Sequence, residues 1–436
     1  MANHAPVEVD AMLRESQQEE NVRYGFLDYI IVAYILFLPV QFQTGQSIRI
    51  APSDVFLVAY LAFGFMRLKF VKHTWSMWHA GLFFTFAMGM VVAIANTGYI
   101  SQYAIIQKGI GLLVLFAAYL AITSTAADWA KIGWLLKALI IGVVFQNTIA
   151  LVAFAASQLA GYSASWMNYG DTRLSGMLVD PNAYGGLLVL VFAIQATTYF
   201  LKRPLLAGMF GWYANITLGI GIILTFSRSA WIGMAIVLMT NAFISAVAFK
   251  PKVLLRLGLV GVFAVLALYV VFGAGFLDVF MAMATRQSQI QDRFEIIGDA
   301  LAMFADSPVF GIGIGVFAET HDIIIHNTPL WILTEFGLLG FMLFLGFSLW
   351  FVTKGIHVYK SVGEDLKPMI LGLVMAYMAM AGLSLGIEAL YQRHWWLIMA
   401  LLASSYGIVC RESRILDIER PLRLDTELPR GVSART

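Results

Sequence analysis

The sequence predicts an all-α polytopic membrane protein of about twelve transmembrane helices. Three observations carry that reading: an excess of apolar residues, their grouping into runs of membrane length, and the partition of Lys and Arg between alternate loops. Of the 436 residues, 60% are hydrophobic and 12% charged, and the mean hydropathy is +0.79. Such a chain has too little polar surface to cover a soluble globule. The formal net charge of +2 points to no nucleic-acid partner, because the informative asymmetry lies in where the charges fall. One cysteine, Cys410, builds neither a disulfide framework nor a thiolate metal site.

Residues 1–24 come first, with Glu8, Asp10, Glu15, Glu19 and Glu20. They are too polar and acidic for a signal peptide or a span and read as a short cytoplasmic tail. Apolar runs long enough to cross roughly 30 Å of hydrocarbon then occur at 25–42, 53–67, 78–97, 103–123, 132–158, 181–200, 205–226, 229–249, 253–275, 328–353, 368–387 and 394–410. The stretch 205–249 is divided at Ser227-Arg228-Ser229, since a single span of that length would exceed any bilayer. Of the 28 Lys and Arg, 21 fall in one set of alternate loops, the set that includes both termini. The opposite set holds Arg49, Arg173, Arg228, Arg286, Arg293 and Arg393, with Lys108 inside a span. The positive-inside rule therefore makes both termini cytoplasmic. The chain divides into the tail 1–24, nine helices in 25–275, an outward-facing loop 276–327, three helices in 328–410 and a cytoplasmic tail 411–436.

The outer face carries arginine, whose planar fork grips phosphate in two places where lysine offers a point charge. Within the long loop, Ile290, Phe294, Ile297, Leu301 and Phe304 recur at helical spacing. They predict an amphipathic helix along the membrane surface or capping the bundle. Arg286 and Arg293, seven residues apart, share a face of that helix roughly 10 Å long. They suit two anionic groups, or else snorkel toward headgroups and pair with Asp292 and Glu295. Asp306-Ser307-Pro308 stops the helix, and Gly311-Ile312-Gly313-Ile314-Gly315 reads as a bend returning the chain to the membrane.

His321 and His326 follow. Asn327 or Thr328 caps the next helix and Pro329 suits its first turn, so His326 stands at a helix N-terminus. The partial positive charge there favours neutral imidazole, a proton acceptor, and attracts anions. A metal site from His321, Asp322 and His326 is disfavoured, because the i, i+5 spacing turns the two histidines to different faces. Arg173 and Asp180-Pro181-Asn182 lie between the fifth and sixth spans, with Asp180 read as a helix cap. Glu388, Arg393 and His394 lie between the eleventh and twelfth, where Glu388 and Arg393 read as a structural pair or as functional groups at membrane depth. Trp395, Trp396 and Tyr391 fit an interfacial aromatic belt.

Four ordered segments resemble the O-antigen ligase and polymerase superfamily: Leu224-Thr225-Phe226-Ser227-Arg228-Ser229-Ala230-Trp231; Asp292-Arg293-Phe294; Ser307-Pro308-Val309-Phe310-Gly311-Ile312-Gly313; and His326-Asn327-Thr328-Pro329-Leu330-Trp331 with Glu335-Phe336-Gly337-Leu338-Leu339-Gly340. The resemblance spans roughly residues 165–350 and implies a glycosyltransferase of the GT-C type. It would work at the periplasmic face of a bacterial inner membrane and draw its glycan from undecaprenyl pyrophosphate. The ligase branch transfers that glycan to the lipid A-core oligosaccharide, and the polymerase branch transfers it to another lipid-linked repeat unit; the ligase branch is preferred. The resemblance makes His326 the catalytic residue and Arg228, Arg286 and Arg293 candidates for its pyrophosphate-binding arginines. Arg173, His321 and Arg393 complete the outer-face candidates for pyrophosphate or sugar contact. The expected reaction is an inverting transfer with neither metal nor cofactor. A transporter of an anionic substrate, the reading from another class, would place polar groups at the bilayer midplane in related halves. This chain has its ionisable groups near helix ends and in outer loops.

Overall fold

The computed structural model describes residues 24–44, 48–160, 167–169, 173–178, 180–201, 203–247, seven positions from Lys252 to Tyr269, and 287–426. Its helices are α1 Phe26–Leu36, α2 Pro52–Gly64, α3 Met77–Thr97, α4 Gly111–Thr125, α5 Trp129–Ala160, α6 Pro181–Phe200, α7 Gly208–Leu224, α8 Arg228–Val247, α9 Gln287–Asp306, α10 Val316–His321, α11 Thr328–Ser361, α12 Lys367–Leu383 and α13 Arg393–Thr426. A π-helical run, Tyr103–Ile110, leads into α4. Among the described residues the strands form two short antiparallel hairpins. One pairs β1 Phe42–Thr44 with β2 Ile48–Ile50, and the other pairs β3 Asn168–Tyr169 with β4 Arg173–Leu174.

Among the described residues, six helices are long and apolar enough to cross a membrane: Met77–Thr97, Tyr103–Thr125, Trp129–Gln158, Pro181–Phe200, Arg228–Ser245 and Thr328–Ser361. Four shorter apolar helices, α1, α2, α7 and α12, accompany them. The predicted spans 25–42 and 53–67 are helices of 11 and 13 residues. These rise roughly 17 and 20 Å, short of the hydrocarbon thickness. Pro39, which disfavours helical backbone before it, follows the end of α1 at Leu36, and the β1–β2 hairpin then leads to Pro52 in the first turn of α2. The predicted span 253–275 lies outside the described residues except at scattered positions. The twelfth continues as helix to Thr426, through most of the segment read as a tail.

α6 is the axis of the bundle. Every residue from Pro181 to Phe200 is buried except Asn182, as expected of a helix that is hydrophobic all round. Polar groups on its neighbours tie the centre together. Tyr184 Oη donates toward Gln146 Oε1 and Asn147 Oδ1, each at 2.8 Å. Asn147 Nδ2 donates to the Thr217 carbonyl at 2.7 Å, and Asn241 Nδ2 to Thr197 Oγ1 at 3.1 Å. Such interhelical bonds substitute for water in a lipid setting.

α11 is broken, although its sequence predicts a continuous span. Gly337 has φ 66° and ψ −170°, which removes local helical pairing. The turn and bend at 308–313 take up the groups released. Ile312 N donates to the Thr334 carbonyl and Gly313 N to that of Glu335, both at 3.0 Å, while Leu338 N reaches the Pro308 carbonyl at 2.8 Å. The glycine-rich stretch is therefore more than a bend returning the chain to the membrane: it is an insert docked on the break, closed on its other side by α3. Gly313, at φ 98°, lies against the Ala93 backbone, and Asn96 Nδ2 donates to the Ile312 carbonyl at 2.9 Å. Gly337→Ala puts a Cβ in the left-handed region and against the Val309 carbonyl. It is expected to cost at least about 2 kcal/mol, read as a lowered thermal unfolding midpoint in detergent. An unchanged midpoint would contradict the insert geometry.

α9 exists as predicted but packs through a different face. Ala300 is buried, Ile296 and Met303 are half-buried, and the Ala300 carbonyl accepts from Thr334 Oγ1 of α11 at 3.2 Å. Phe294 and Leu301, from the predicted stripe, are 69% and 46% exposed. The small Ala300 lets the α9 and α11 backbones approach closely, so the bulkier residues turn outward.

Candidate functional site

His326 sits one residue before the cap of α11. Asn327 Oδ1 accepts from Leu330 N at 2.9 Å, and Pro329 lies in the first turn, as its sequence requires. The same turn clasps the loop after α12. Asn327 Nδ2 donates to the Leu385 carbonyl at 3.0 Å, Thr328 N to that of Ser384 at 2.8 Å, and Thr328 Oγ1 to that of Ile387 at 3.1 Å. Ala389 N returns a bond to Thr328 Oγ1 at 2.8 Å. His326 is thus exposed on a rigid corner.

Between this corner and α9 lies a cavity of about 230 Å³. Arg293 and His326 line it together, with Asn327 and a predominantly apolar wall that includes Phe294, Ile297, Leu330 and Leu385. Gly386 brings a third element close. A methyl group placed on it would stand 2.9 Å from Ser229 Oγ of α8 and 3.9 Å from Arg293 Nη1. The start of α8, with exposed Arg228 beside Ser229, therefore adjoins the Arg293 guanidinium. A guanidinium, an imidazole at a helix start and a greasy wall suit an anionic group attached to an apolar chain.

Arg173 serves the turn that presents Arg228. It is buried, its Nε donates to the Thr225 carbonyl at 2.9 Å, and its Nη2 donates to Asn182 Oδ1 at 3.0 Å. Asn182 belongs to the cap of α6, where Asp180 Oδ1 accepts from its amide at 2.9 Å. Phe226, in the same turn, holds φ at 47°, a costly conformation for an aromatic residue. His321 stands apart, stacked on Phe317 with ring centroids 4.4 Å apart and Nε2 3.6 Å from Asp299 Oδ2. Arg393 is held bidentately by Asp54 of α2, at 2.9 and 2.6 Å. Arg286 lies outside the described residues.

A cluster beneath the loop escaped the sequence reading. Lys108, 3% exposed, pairs with Glu388, so the suspected pairing of Glu388 with Arg393 gives way to one with a lysine from another span. The Lys108 ammonium lies 4.4, 4.6 and 5.0 Å from the ring centroids of Trp331, Tyr391 and Tyr103. Trp331 Nε1 in turn donates to buried Glu335 at 2.6 Å, whose carboxylate also accepts from Gly315 N at 2.9 Å. One buried cation thus joins the π-helical start of α4, the first turns of α11 and the 384–391 loop. The sequence signal was a lysine inside an apolar run, but its partner is 280 positions away.

On the same face Tyr99 Oη donates to Glu319 Oε2 at 3.0 Å, and that bond raises the Tyr99 phenol above its ordinary range. The contact ties the end of α3 to α10.

A family model described as O-antigen ligase matches residues 213–345. That stretch holds Arg228, Ser229, Arg293, His326, the glycine-rich insert and the broken first half of α11. No curated protein matches the chain.

Proposed function

We propose that the chain, whose residues 213–345 match a family model described as O-antigen ligase, is an O-antigen ligase of the ligase and polymerase superfamily. It moves a glycan from undecaprenyl pyrophosphate to the lipid A-core oligosaccharide at the periplasmic face of the inner membrane. The observation that carries this reading is the shared cavity of His326 and Arg293, adjoining the Arg228 turn. Twelve spans and a GT-C architecture belong to the same proposal.

The acceptor hydroxyl gives its proton to His326 as its oxygen bonds to the anomeric carbon of the donor. The bond from that carbon to the pyrophosphate oxygen breaks on the opposite side, so configuration inverts. Arg293 and Arg228 take the charge that grows on the departing undecaprenyl pyrophosphate, while the apolar wall accommodates its isoprenoid. Pyrophosphate is already a good leaving group, so neither a covalent enzyme intermediate nor a metal is required. Arg173 and Arg393 hold the frame, Arg173 through the Thr225–Ser227 turn and Arg393 through α2. His321 and Arg286 remain candidates for sugar or phosphate contact.

The same cavity suits a repeat-unit polymerase for O antigen or exopolysaccharide, which uses the same donor. The lipopolysaccharide profile of a deletion strain separates the two. Loss of a ligase leaves bare core with stranded lipid-linked polymer, the expected result; core capped by a single unit would establish the polymerase instead.

A further inference from the structure

A second cavity, of about 490 Å³, lies at the far end of α11, lined by Lys72, His73, His357, Val409, Ser413 and Arg414. The helix runs without the Gly337 break from Leu338 to His357, a rise of roughly 30 Å, or one hydrocarbon thickness. The cavity therefore sits across the bilayer from His326, on the face that holds the lysine-rich loops. Three elements converge there: the 72–74 loop before α3, the end of α11, and α13. Lys354 borders the cavity through Tyr406, with its ammonium 4.4 Å from that ring centroid and 3.3 Å from the hydroxyl. The rings of His73 and His357 meet the same tyrosine edge-on, at 6.3 and 5.6 Å.

Among the described residues no carboxylate pairs with Lys72, Lys354, Arg414 or either histidine, whereas Lys131 and Lys367 are paired with Asp28 and Glu364. His73 adopts a left-handed φ of 71°, a conformation that costs energy for a residue with a side chain. Burial, followed by the charges of Lys72, Arg414 and Lys354, holds its imidazole below the ordinary range. Positive charge gathered in a concavity at headgroup depth, with an apolar wall at Val409, is matched by a phosphate carried on a lipid.

We propose that this cavity binds the phosphate headgroup of an anionic lipid from the leaflet opposite the His326 site. Native mass spectrometry of the full-length protein in nanodiscs containing phosphatidylglycerol is expected to show retained lipid. Lys72→Gln/Arg414→Gln, two exposed positions, should weaken retention about fivefold per charge and about 25-fold together. The charge-preserving Lys72→Arg/Arg414→Lys should keep it. Lys252→Gln/Lys360→Gln removes two exposed charges outside the cavity and should leave retention unchanged. Equal loss in both neutralised pairs, or no retention by the wild type, would overturn the site. Inorganic phosphate that stabilises the wild type in phosphatidylcholine nanodiscs, with phosphatidylglycerol unable to displace it, would overturn the lipid as its source.

Discussion

His326→Ala is expected to lower glycan transfer by about 10²–10⁴-fold, the usual contribution of a positioned general base, while the protein stays inserted and monodisperse. Folding should tolerate the change because the neighbouring residues carry the structural work. Asn327 caps α11 and Thr328 clasps the loop after α12, and neither depends on the imidazole for those bonds. A purely structural histidine would show the opposite pattern, with lower stability and transfer falling only in proportion to folded protein. Initial rates normalised to the monodisperse fraction from size exclusion separate the two, and a rate within a few-fold of wild type would remove His326 from the mechanism.

Lys108→Met is expected to destabilise the protein by about 3–5 kcal/mol, the cost of stripping one partner from a buried ion pair. The change leaves Glu388 without its cation and removes an ammonium that lies over three aromatic rings, a contact worth about 2 kcal/mol where water is excluded. Glu388 belongs to the loop whose neighbouring residues are clasped by Asn327 and Thr328, so loosening it should also disturb the wall formed by Leu385 and Gly386. The thermal midpoint in detergent should fall clearly, and Lys108→Met/Glu388→Gln should recover part of the loss because no unpaired charge then remains between them. A single variant as stable as wild type would show that the pair contributes nothing.

Much of the fold was legible because a membrane imposes length. An apolar run near twenty residues can do little but span, and helix starts such as Asp180-Pro181 and Asn327-Thr328-Pro329 carry their caps in their chemistry. Hydropathy does not see backbone breaks inside such runs. Gly337 sits among Phe336, Leu338 and Leu339, and the groups that satisfy its broken helix come from 308–313, so no local pattern marks it. α1 and α2 show the same blindness in reverse, since Pro39 and the hairpin shorten runs that composition alone would extend.

The site was legible in part for a similar reason. His326 and Arg293 carry local signals, a helix start and an arginine on a periodic helix, and the structure brings them to one cavity. Arg173 and Arg393 show arginine on the same face, yet Thr225 and Asp54 occupy their guanidinium groups. Their partners stand 52 and 339 positions away. Sequence spacing could not show that these two arginines are already engaged.

Transfer by the purified protein in detergent, with EDTA present, an undecaprenyl-pyrophosphate-linked glycan as donor and lipid A-core as acceptor, decides whether this chain is the ligase. Glycosylated lipid A-core and released undecaprenyl pyrophosphate are expected in equal amounts from the wild type, with a rate lower by at least about 10² from His326→Ala. A wild type that joins the two lipids no faster than His326→Ala, or not at all, would contradict that assignment.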